Sequence, residues 1–162
     1  MALGAFTFVL RTSYNMVERC DGMYRKNRDD CFKTPVTDYG PKPFVVNIDQ
    51  ATLQNTNYRT ALWTGCHLQL TLMSLPVGGE IGLEVHPDTD QLIRLESGNG
   101  MVMMGASQDC LYFQRPICSG FAVFVPAGTW HNIINTGNQP LKIDTIYAPP
   151  HHPHGTVQTT KE

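Results

Sequence analysis

The sequence predicts an all-β domain of short strands joined by tight turns, and three observations carry that expectation. The stretch Gly78–Gly98 (GGEIGLEVHPDTDQLIRLESG) interrupts apolar runs with Gly, Pro and Asp. The stretch Gly120–Asn135 (GFAVFVPAGTWHNIIN) repeats that rhythm, its apolar run Phe121–Val125 being closed by Pro126 and Gly128. Between Leu68 and Met73, three leucines alternate with Gln69, Thr71 and Met73, the period of a strand with one buried face. There is no heptad, internal repeat, phosphate-cradling Gly loop or G-x-S-x-G elbow.

Size and charge narrow the class further. The 162 residues amount to about one domain with a single core. Charged residues make up 16%, below the usual roughly 25%, which suits buried sheet and a self-association surface. The net charge is −2 and the longest basic cluster is Arg25-Lys26-Asn27-Arg28, so nucleic acid is not an expected partner. The apolar start Ala2–Leu10 lacks a basic flank and a cleavage site and is too short for a bilayer. A buried first strand or packed arm is expected there, and no membrane partner. Five cysteines without CxxC spacing point to reduced thiols in a cytoplasm, although Cys20 and Cys31 could pair.

Three segments follow in order. Residues 1–43 form an irregular N-terminal extension, with a charged run at Asp21–Asp30 and breakers at Pro35, Gly40, Pro41 and Pro43. Its Tyr14, Met16, Tyr24, Phe32 and Tyr39 are suited to covering a barrel face or a neighbouring subunit. Residues 44–149 hold the strands. Phe44–Ile48 reads as a strand, and Asp49 as the N-cap of a short helix within Asp49–Asn57. Tyr58–Thr64 and His67–Leu75 pair around Gly65, His67 being structural or exposed. Strands are then expected at Ile81–His86, Gln91–Ser97, Met101–Gly105, Leu111–Pro116, Gly120–Val125, Asn132–Asn135 and Leu141–Ala148, with Asn99-Gly100 as a hairpin turn. Residues 150–162 are a His- and Pro-rich tail.

The chemistry sits in the two Gly-bounded stretches. On a strand, Glu84 and His86 would share a face. His131 lies in the second stretch. The spacing resembles the two motifs of the cupin family over roughly Ile48–Pro149. Gly120, Pro126, Gly128, His131 and Asn135 fill every place of the second motif. In the first motif Gly78, His86 and Gly98 match, while Glu84 stands where a His belongs and Gln91 where a Glu belongs. The resemblance implies a double-stranded β-helix, or jelly-roll barrel, often dimeric. It also implies a metal site formed by Glu84, His86, Gln91 and His131. The usual set of three His and one Glu carries one negative charge, and so does this one. Two imidazoles and two oxygens suit a divalent ion such as zinc, iron, nickel or manganese.

The expected function is that of a metal-dependent enzyme acting on a small molecule, isomerase-, epimerase- or dioxygenase-like. The alternative is a non-catalytic module that binds or senses a small ligand. Glu84 or Tyr147 could accept a proton, although Glu84 cannot be both tight ligand and free base. Only Arg94, Arg59 and Lys142 supply cations near the barrel, and strand parity turns Arg94 outward, which weakens a sugar-phosphate reading. By the same parity Val85, Leu92 and Trp130 should face out, and Ile93, Leu95 and Ile133 in. The segment Pro149–Gly155 can reach roughly 20 Å, enough to fold back over a barrel mouth. His154, next to the flexible Gly155, is the tail residue expected to reach the metal. A homodimer is expected.

Overall fold

Residues 37–161 are described by the computed structural model, and they lie in one unit, Val36–Glu162. Among them, one helix precedes nine strands. The helix is α1, Ile48–Gln54. The strands are β1 (Arg59–Thr64), β2 (Gln69–Leu75), β3 (Asp90–Ser97), β4 (Asn99–Gly105), β5 (Phe113–Cys118), β6 (Ala122–Val125), β7 (Trp130–Asn135), β8 (Leu141–Ala148) and β9 (Val157–Gln158). A six-stranded sheet has the order β6-β3-β8-β2-β1-β9, and a three-stranded sheet the order β5-β4-β7. Every pairing is antiparallel. One apolar cluster draws Met73, Ile93, Leu95 and Ile143 from the large sheet and Val102, Ile117 and Ile133 from the small one, so the two sheets share a core. This is the expected jelly-roll barrel.

Residues directly opposite each other on paired strands point to the same face, so the ladder registers define layers inside the barrel. Leu75 lies opposite Leu141, and Met73 opposite Ile143, which also pairs with Leu95. Next come Thr71, Thr145 and Ile93, and then Gln69, Tyr147 and Gln91. All of these side chains are buried. The interior thus grades along the strands from wholly apolar to polar. The apolar end stabilises the fold; the polar end needs hydrogen-bonding partners to offset desolvation.

The outer face of the large sheet is covered by α1, which contacts β2, β3 and β8. The helix starts earlier than expected. Asn47, not Asp49, caps it, its side chain accepting from the Gln50 amide at 3.0 Å. Asp49 sits in the first turn and accepts from Arg94 Nη2 at 3.1 Å. Phe44–Ile48 is not a strand. Phe44 stacks on Tyr39 with ring centroids 4.2 Å apart, and the prolines at 41 and 43 keep this stretch out of a ladder.

Other boundaries also moved. Ile81–His86 forms no strand; only isolated bridges at Glu80–Ile134 and Glu84–His131 remain, with Gly82 at φ 101° between them. Asn99 and Gly100 belong to β4, and Gly98, at φ 95°, makes the turn as the chain crosses from one sheet to the other. The expected strands 111–116 and 120–125 shift to β5 and β6. The parity of β3 and β7 is as expected: Ile93, Leu95 and Ile133 are buried, Leu92 and Arg94 half-buried on the outer face. Trp130 is half-buried rather than bare. No described helix is long and apolar enough to cross a membrane. Cys66, Cys110 and Cys118 are free. The expectations for Ala2–Leu10, Cys20 and Cys31 and the aromatics up to Phe32 lie outside the described residues.

Candidate metal centre

Glu84 and His86 stand on irregular backbone, so the shared strand face that first linked them does not exist. They converge because that backbone is pinned. Glu84 N–H donates to His131 O at 3.0 Å and His131 N–H returns a bond to Glu84 O at 2.9 Å. Gly128 N–H donates to His86 O at 2.8 Å, tying the first motif to the turn of the second. As a result Glu84 Oε1 lies 3.3 Å from His86 Nε2 and 3.4 Å from His131 Nε2. One ligand atom from each residue lies within 4.8 Å of the others. Donors about 2.1 Å from a tetrahedral zinc are about 3.4 Å apart. The spacing of the carboxylate to both imidazoles therefore fits an ion of that size.

The outer shell of the cluster fits as well. His131 is fully buried, and its Nδ1 lies 3.0 Å from Thr129 O. A proton on Nδ1 leaves the Nε2 lone pair free, the outer-shell arrangement usual for a ligating His. Burial pushes the Glu84 carboxyl up, but the His131 and His86 imidazoles beside it outweigh burial and hold the group below the usual range. His86 is 4% exposed. Gln91, 3% exposed, lies opposite Tyr147, and neither of its amide atoms has a hydrogen-bond partner.

That last property is shared. Apart from Asp144, and Arg59, whose backbone stands opposite Met73, the buried side chains with unpartnered polar atoms belong to this end of the barrel: Thr71, His86, Gln91, His131, Thr145, Tyr147 and His152. The Tyr147 hydroxyl approaches Thr71 without a well-aligned bond. Burial raises the Tyr147 pKa well above its ordinary value, with the Arg59 charge acting the other way, so the hydroxyl keeps its proton and is a donor. A cleft of about 430 Å³ lined by Thr56, Tyr58, Glu80 and Lys142, among others, contains none of the cluster residues.

The tail does return to the site, through a different imidazole from the one expected. His154 turns to the N-terminal side of the unit, with Nε2 3.1 Å from Gly40 O and 3.5 Å from Asp38 Oδ1. His151 instead packs on His86, ring centroids 4.0 Å apart, and His152 on Tyr147 at 5.0 Å. The residue responsible is Gln69. Its amide oxygen accepts from the His151 and His152 N–H groups at 3.3 and 2.8 Å, and its amide nitrogen donates to His152 O at 2.8 Å. The chain then pairs with β1 as β9. The sequence showed Gln69 only as an alternating strand residue, and nothing in it marked Gln69 as the anchor of the tail.

An all-β jelly-roll with a Glu/His/His cluster at the polar end of its interior defines a class of barrel proteins. The family model for the cupin domain matches residues 71–143, and the chain belongs to the cupin family. It is 64% identical over 124 residues to the uncharacterized protein YrkC of Bacillus subtilis (strain 168), covering 76% of this chain and 67% of that one. It is 41% identical over 119 residues to the uncharacterized protein L612 of Acanthamoeba polyphaga mimivirus, covering 73% and 72%. The crystal structure of BH2720 from Bacillus halodurans is similar at a TM-score of 0.75 and 59% identity, over 76% of this chain and 93% of that one. TT1209 from Thermus thermophilus shares the fold at a TM-score of 0.56 and 20% identity, over 65% and 96%.

Proposed function

We propose that the chain is a metal-dependent cupin that acts on a small molecule at Glu84, His86 and His131, with Gln91 as an additional oxygen donor. The observation that carries this reading is the spacing of 3.3 and 3.4 Å from one carboxylate oxygen to two imidazole nitrogens. A divalent ion held there would polarise an oxygen of a coordinated ligand. Glu84 serves as ligand and not as free base. Tyr147 donates a hydrogen bond to that ligand. His154 takes no part. The free thiols at Cys66, Cys110 and Cys118 suit a reducing cytoplasm.

The second reading, a binding or sensing module, is favoured by one fact. Both groups first considered as proton acceptors are held in one state, Glu84 ionised among imidazoles and Tyr147 protonated by burial. Zinc titration of metal-free protein against a chromophoric chelator tests the shared part of both readings. Wild type should bind about one zinc per chain. His131→Ala should weaken binding by more than about a hundredfold, beyond the loss of an outer-shell partner. Equal binding by wild type and variant would remove the site. A ligand that binds without turnover would then favour the module.

A further inference from the structure

Arg59 is a buried cation without a carboxylate. It is 7% exposed and sits opposite Met73, a core residue, so its side chain starts from the inner face of the sheet. Its guanidinium makes one hydrogen bond, from Nη1 to Gln158 Oε1 at 2.9 Å, and rests 5.3 Å from the centre of the Tyr58 ring. Its Nε is buried without a partner. Among the described residues no Asp or Glu forms a salt bridge with it. Arg59 is the foremost charge acting on Tyr147 and on His152, the two residues whose rings meet beside the cluster.

A lone guanidinium in a low-dielectric interior is costly unless a negative group offsets it. The one acidic residue of the cluster, Glu84, is engaged by His86 and His131. With a divalent ion bound, the interior would carry an excess of positive charge. The other unpartnered atoms nearby include the Tyr147 and Thr71 hydroxyls, which can donate to an oxyanion.

We propose that the small molecule taken at this site is a carboxylate, with Arg59 as the group that binds its anionic end and the metal cluster as the group that binds its other end. This rests on the metal reading above and adds the substrate class to it. A planar fork of N–H donors matches a carboxylate in two-point contact. Gln158 holds the fork in place from β9.

The test uses zinc-loaded protein, with lactate and its neutral amide, lactamide, as probes in calorimetric titration. Wild type should bind lactate at least tenfold more tightly than lactamide. Arg59→Gln should abolish that preference without weakening zinc binding. Arg59→Lys, which keeps the charge and loses the fork, should retain part of it. Removing an unpaired buried charge should not lower the melting temperature, whereas a purely structural Arg59 would make Arg59→Gln unstable. Equal binding of lactate and lactamide by wild type overturns the proposal without any variant. So does lactate binding by Arg59→Gln at wild-type strength, or a collapse in its melting temperature. Failure of wild type to take up zinc would instead strike at the metal reading.

Discussion

At the scale of single residues, the second motif has a physical reason beyond its histidine. Asn135 is 2% exposed, and its amide nitrogen donates to Leu75 O, Pro76 O and Gln139 O at 2.9 to 3.0 Å. Its amide oxygen accepts from Gly137 N–H at 2.9 Å. One side chain thus satisfies the turns at both ends of the apolar barrel floor. Asn135→Ala leaves these groups unpaired in a buried place and should cost about 3 kcal/mol, with unpaired groups costing ~1–3 kcal/mol each; urea denaturation measures it. Gly128 is different. It has φ 76° and nothing within 4 Å of where a Cβ would stand, so its role is conformational. Gly128→Ala should destabilise by about 1–2 kcal/mol, the left-handed penalty, without a packing clash.

At the scale of elements, the strap that follows β8 is a separate device, with a sign in its pH response. Burial pushes the His152 imidazole down to about 3, with the charges of Arg59 and His151 adding to the effect. A free imidazole titrates near 6.5. Above that pH both states are neutral and docking is unhindered. As pH falls below it, only the released strap takes up a proton, so docking stability is lost progressively. The protection factors of the backbone amides in residues 151–158, with exchange corrected for its intrinsic pH dependence, should therefore fall between pH 7 and pH 5 before the barrel opens. His152→Phe should flatten that dependence, and Gln69→Ala should release the strap at every pH. The β-rich character, the last barrel strand and the cluster histidines were legible in the sequence because turn residues and motif spacing are local. The return of the tail was legible too, from its prolines and its reach; which of its imidazoles arrive, β9, the role of Gln69 and the burial of Arg59 were not. Each depends on register between strands tens of residues apart, which no local pattern encodes. The apparent strand at Ile81–His86 misled for the opposite reason: its apolar alternation is real, but Gly82 breaks the ladder.

At the scale of the whole molecule, the exposed aromatics are uneven. Phe124, on β6, is 71% exposed and Phe121, just before it, 49%, at one edge of the large sheet. We propose that this face pairs two copies of the chain, in keeping with the homodimer expected from the sequence. Sedimentation equilibrium should find a dimer for wild type and a monomer for Phe124→Glu; a wild-type monomer would remove the proposal. The position of β8 has a further consequence, in time and not in space. It lies between β2 and β3, and it pairs Leu141 with Leu75 and Tyr147 with both Gln69 and Gln91. Neither half of the large sheet can join the other before a strand late in the chain arrives. Such non-local pairing places refolding on the millisecond-to-second scale. In stopped-flow measurements, Ile143→Val on β8 should mainly slow refolding, whereas Phe113→Ala on edge strand β5 should mainly speed unfolding.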